Sequence, residues 1–160
     1  MRPFFQTLLV SVIGGAALLA QNAQNPQQRL APNEIKWPAS GPVVGTSGVA
    51  GMQTISLKGD PTKPGLYTIR FRIPPNTKIE AHSHKDDRSG VVLSGVWYFA
   101  YGNQFNQAAL KELPAGSFYT EPPGTNHFAM TKNQETILEV TGYGPSSTTY
   151  VDPKNDPTQK

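Results

Sequence analysis

Residues 66–84 read LYTIRFRIPPNTKIEAHSH. Tyr67, Ile69, Phe71 and Ile73 alternate with Thr68, Arg70 and Arg72. A period of two places each set on one face of a β-strand, the apolar set toward a core and the arginines toward solvent. Pro74, Pro75 and Asn76 end that strand, because proline has no N–H to give to a ladder. Residues 78–84 then read as a second short strand. His82 and His84 are two apart on it, so both imidazoles point to the same side and can share one cavity.

The pattern continues outward. Residues 90–101, GVVLSGVWYFAY, are apolar on both faces. That predicts a central or interface strand with a bend at Gly95. Gly102 and Asn103 mark a turn, and residues 104–112 suit a helical turn at most. Residues 118–120, 126–130 and 136–143 complete a series of short strands. Such strands, spaced by Gly/Pro turns, predict an all-β sandwich or barrel. The folded body is expected over residues 32–151, as one domain.

The sequence holds 3 histidines and no cysteine. The third histidine, His127, closes the string GSFYTEPPGTNH over residues 116–127. Pro122, Pro123 and Gly124 form a tight turn that leads into its strand. Three neutral imidazoles converging on one point suit Fe, Zn, Mn, Ni or Cu. Without cysteine, disulfides, thiolate metal sites and cysteine nucleophiles are excluded. No serine sits in a nucleophile-elbow string either.

These two strings resemble the paired motifs of the cupin superfamily. The first family motif runs G-x5-H-x-H-x3-E-x6-G and is met here by Asn76, His82, His84, Arg88 and Gly95. The second runs G-x5-P-x-G-x2-H-x3-N and is met by Gly116, Pro122, Gly124, His127 and Thr131. The spacing holds at every position, and the resemblance spans about residues 65–144. It implies a double-stranded β-helix, or jelly-roll-like barrel, with His82, His84 and His127 as metal ligands.

Three positions depart from the motifs. Asn76 replaces a turn glycine, and asparagine tolerates positive φ. Thr131 replaces an asparagine. Arg88 replaces the usual glutamate ligand, and a guanidinium has no lone pair to give a metal. A three-histidine site remains, as in some cupin dioxygenases that act on thiols and β-diketones. By strand parity Arg88 points into the same cavity as the histidines. It is either an anchor for an anionic substrate or the partner of Asp86 or Asp87, one of which could instead supply the missing oxygen ligand. Glu121 reads as a solvated turn residue, or as an acid/base group at the mouth. The facing of Glu139 stays open, because Leu138 and Val140 alternate against it.

The chain of 160 residues carries a formal charge of only +3, and its cations are scattered. No basic run is interleaved with aromatics, so nucleic-acid binding has no support. Arg2, the apolar run of residues 8–20 and the polar residues after it have the layout of a secretory signal peptide. The run is shorter than the about 20 apolar residues of a membrane span. Residues 1–23 are therefore expected to be a cleaved signal, 24–31 a flexible linker and 152–160 a loose tail. A periplasmic or secreted protein without stable membrane anchoring follows. The expected function is binding of a small polar or anionic molecule at the metal, by a dioxygenase, lyase or isomerase. The alternative is a non-catalytic ligand-binding or sensor barrel, metal-free or structural. The doubly apolar stretch around residues 97–99 would suit a homodimer.

Overall fold

The computed structural model of the chain describes residues 27–39 and 46–159, so the expected signal segment lies outside the described residues. Ten strands follow one another: β1 (Gln53–Lys58), β2 (Gly65–Ile73), β3 (Lys78–His84), β4 (Arg88–Ser94), β5 (Val96–Tyr101), β6 (Lys111–Pro114), β7 (Phe118–Glu121), β8 (His127–Met130), β9 (Thr136–Gly144) and β10 (Thr148–Tyr150). They form two five-stranded antiparallel sheets. The first runs β1-β2-β9-β4-β7 and the second β10-β3-β8-β5-β6. The remaining regular structure among the described residues is four short 3-10 turns, one of them at Gln107–Ala109.

The alternation read in residues 66–73 is realised in β2. Tyr67, Ile69, Phe71 and Ile73 are buried, while Arg70 and Arg72 face outward. Arg70 pairs with Glu139 at 2.5 Å and Arg72 with Glu135 at 2.9 Å, which places Glu139 on the outer face of the first sheet. Across the ladder Ile69 meets Val140 and Phe71 meets Leu138. With Trp97, Phe99 and Ala129 from the second sheet they form the core between the sheets. Burying such side chains is the main force that holds two sheets face to face.

Residues 90–101 are not one strand. They divide at Gly95 into β4 in the first sheet and β5 in the second. Gly95 adopts φ +75°, and a Cβ there would lie 2.3 Å from the Glu135 carbonyl oxygen. Only glycine makes that corner without strain. The stretch is apolar on both faces because its two halves serve different sheets. Trp97 and Phe99 belong to the core, whereas Val91 and Leu93 lie on the exposed side of β4. Asn76 has φ 56°, as its place in the turn leads one to expect.

Candidate metal centre

The site forms where β3 and β8 of the second sheet face β4 and β7 of the first. On β3, Ile79 pairs with Ala129 and His82 with His127, so three residues of β3 span two of β8. This bulge at Glu80 and Ala81 reverses the strand's parity. Ile79 points into the hydrophobic core, and His82 and His84 also point inward. Ala81 instead packs with Ala100 and Phe128 in a separate cluster. A bulge of this kind re-aims side chains without breaking the sheet.

Each imidazole is pinned through Nδ1 to a backbone carbonyl. His82 Nδ1 lies 2.8 Å from the Glu80 oxygen, which belongs to the bulge itself. His84 Nδ1 lies 3.0 Å from the Ser147 oxygen, and His127 Nδ1 lies 3.1 Å from the Thr125 oxygen. A carbonyl accepts only, so Nδ1 carries the proton and Nε2 keeps its lone pair. Burial holds all three rings neutral. It lowers His82 to about 3, with help from the nearby His127, and drives His84 well below the ordinary value, with Arg88 second. His127 is lowered as well, burial outweighing the Glu121 carboxylate. One ring nitrogen from each histidine falls within a group whose members all lie within 4.8 Å of one another. Nε2 of His84 and Nε2 of His127 are buried with no hydrogen-bond partner among the described residues. Buried unpaired lone pairs are costly, and a divalent cation is the species that would satisfy several at once. The donor set therefore fits a metal ion.

Glu121 departs from its sequence reading. It is buried at the end of β7, not solvated in a turn. Its Oε2 lies 3.6 Å from His84 Nε2 and 3.7 Å from His127 Nε2. Parity carries the signal: Tyr119 is a core aromatic, and Glu121, two residues on, shares its side of the strand. The proline turn that follows obscures this.

Arg88 points into the barrel and is buried. Its partner is neither Asp86 nor Asp87. Arg88 and Glu121 are paired across the β4–β7 ladder, and Arg88 Nε donates to Glu121 Oε2 at 2.5 Å. Burial alone would raise the Glu121 carboxyl, but the Arg88 guanidinium brings the net shift downward, so Glu121 stays ionised. Arg88 also interacts with the Tyr67 hydroxyl, which donates to Asp86 Oδ2 at 2.6 Å. Burial, above all, pushes Tyr67 up to about 12. Gly142 makes room for this group: a Cβ there would lie 2.6 Å from the Tyr67 hydroxyl and 2.9 Å from Arg88 Cβ.

His82, His127, Arg88 and Glu121 line an inner cavity of about 30 Å³, with Ser47 and Met52 also in its wall. That space has room for about one or two waters. A second cavity of about 510 Å³ opens between the sheet edges, lined by Phe99, Tyr101, Leu113, Phe118, Tyr119 and Thr120 among others. Tyr119 lines both. The Phe99 ring lies 5.4 Å from that of His127.

Two antiparallel sheets closing on three inward histidines define a cupin barrel, and known proteins agree. The chain belongs to the family of ChrR cupin-like domains, whose pattern it matches over residues 27–147. It is 26% identical over 88 residues to H2HPP isomerase of Bacillus subtilis. That match covers 55% of this chain, which spans about a third (34%) of the relative's length. Among solved structures, it resembles the polyketide cyclase RemF from Streptomyces resistomycificus, with a TM-score of 0.59 and 19% identity over 84% of this chain and 94% of that one. It also resembles a cupin-superfamily sugar phosphate isomerase from Silicibacter pomeroyi, with a TM-score of 0.57 and 16% identity over 77% and 81% of the two chains. At these identities the structural likeness establishes the fold alone.

Proposed function

We propose that this chain is an exported, metal-dependent cupin that catalyses an isomerase- or lyase-type proton transfer on a small polar or anionic molecule. The observation that carries the proposal is the set of three neutral imidazoles, each pinned through Nδ1, with two buried Nε2 atoms unpaired. An ion held by His82, His84 and His127 would supply Lewis acidity to a substrate oxygen. The chain's own residues orient that chemistry. Backbone carbonyls fix the three ring planes. The 510 Å³ cavity, with Phe99 between it and His127, has the size and apolar lining of a small-ligand site. A relative named as an isomerase favours isomerase chemistry over other cupin reactions.

The test is proton exchange. Metal-loaded protein is incubated in D2O with a panel of sugar phosphates and α-keto acids, and deuterium beside the carbonyl is read by NMR. The proposal expects incorporation or conversion that chelator and His127→Ala both abolish. A metal-loaded protein that exchanges nothing in the panel contradicts catalysis. One observation favours a second reading, that of a binding or sensor barrel: the inner cavity of about 30 Å³ admits no ligand larger than water. On that reading azide would leave the visible spectrum of a Co2+-loaded protein unchanged, whereas an open catalytic ion would respond.

A further inference from the structure

We infer that Glu121 is a fourth metal ligand, supplied from β7 of the opposite sheet and held in place by Arg88, its ladder partner on β4. The inference rests on the three-histidine metal centre proposed above and adds a residue to it.

The geometry is difficult to explain otherwise. Nε2 of His84 and Nε2 of His127 are acceptors, because both Nδ1 atoms give their protons to backbone carbonyls. The Glu121 carboxylate is also an acceptor. Yet its Oε2 lies only 3.6 and 3.7 Å from those two nitrogens. Three buried lone-pair donors that face one another repel unless a cation or a proton donor sits among them. The spacing to these two nitrogens is that of co-ligands: donors about 2.1 Å from a tetrahedral ion stand about 3.4 Å apart.

A simple ion pair with Arg88 would not produce this arrangement. A carboxylate that served only the guanidinium could turn its oxygens away from the imidazoles. Instead the oxygen that accepts from Arg88 Nε is the same one that faces both histidines. Arg88 thus acts as a positioning residue for Glu121. The arginine that cannot itself bind a metal holds the carboxylate that can, directly across the ladder.

The test measures metal affinity and coordination, not turnover. Zn2+ affinity is determined by competition with a chromophoric chelator, and the visible spectrum is recorded with Co2+, for the full chain and for Glu121→Gln, Glu121→Asp and His127→Ala. Glutamine keeps an oxygen for Arg88 but loses the anionic donor. Aspartate keeps the charge but withdraws the oxygen by one methylene. Both variants should bind Zn2+ at least about tenfold more weakly and shift the Co2+ absorption. Should the glutamine variant fail to fold, aspartate, which keeps the negative charge on the Arg88 side of the site, carries the test alone. Zn2+ affinity within twofold of the parent and an unchanged Co2+ spectrum in Glu121→Asp would overturn the ligand role, whatever the glutamine variant does. If His127→Ala loses metal in that same experiment, the three-histidine centre stands and only Glu121 falls. If the parent chain binds neither ion, the centre itself falls and takes Glu121 with it.

Discussion

At the scale of single residues, the centre is built from side chains whose alternatives have been removed. Each histidine Nδ1 is occupied by a carbonyl, and Glu121 is occupied by Arg88. Arg88 is the weak point. Replacing it with methionine fills similar volume but leaves a buried carboxylate without its cation. Such an uncompensated charge costs about 3–5 kcal/mol. Urea unfolding of metal-free Arg88→Met should therefore show a lowered midpoint, and Zn2+ should recover part of the loss. A midpoint equal to the parent's would show that the pair does not hold Glu121 ionised. The three histidines were legible in the sequence because their spacing is rigid: two residues apart on one strand, and a proline turn ahead of the third. Glu121 was not, because charge and turn context pointed to solvent, and only the buried Tyr119 on the same side of β7 indicates otherwise. The partner of Arg88 was equally hidden, since Asp86 and Asp87 are near in sequence while Glu121 is near only through the ladder.

At the scale of elements, two local devices aim the site. The first is the bulge at Glu80 and Ala81. Simple parity put His82 and His84 on one side of β3 but could not show that Ile79 faces inward as well. Deleting Ala81 would remove the extra residue and leave Ile79, His82 and His84 on one inward face by plain alternation. That variant should keep its metal and the far-UV spectrum of a β-protein; metal content at background would mean that the bulge aims the ligands by more than parity. The second device is the corner at Gly95. Gly95→Ala meets both the positive φ and the Glu135 carbonyl at 2.3 Å, and should destabilise the chain by roughly 1–3 kcal/mol. A thermal midpoint unchanged from the parent's would contradict the corner. Strands with a buried face and clear alternation, such as β2 and β9, were readable from sequence. β1, β6 and β10 were not. They are short, mixed in polarity and lie at sheet edges, where pairing on one side only imposes little pattern.

At the scale of the whole molecule, the two sheets do not depend on an ion for their core, which is packed by residues such as Ile69, Leu138, Trp97 and Phe99. Metal should therefore add to stability without being required for folding. A ligand that binds only the folded chain at about one hundred times its Kd adds about 2.7 kcal/mol. Zn2+ should raise the melting temperature, and chelator should return it to a value at which the protein is still folded. Export belongs to the same scale. The mature protein in the periplasm should begin near residue 21 or 24, and an intact Met1 on most molecules would contradict it. The central claim, a metal centre at His82, His84 and His127, is tested most directly by metal analysis of the purified chain beside its three single alanine variants. The account predicts one divalent ion per parent chain and a marked loss in each of His82→Ala, His84→Ala and His127→Ala, with folding preserved. Equal metal content in all four proteins, or none in the parent after incubation with Zn2+, would contradict it.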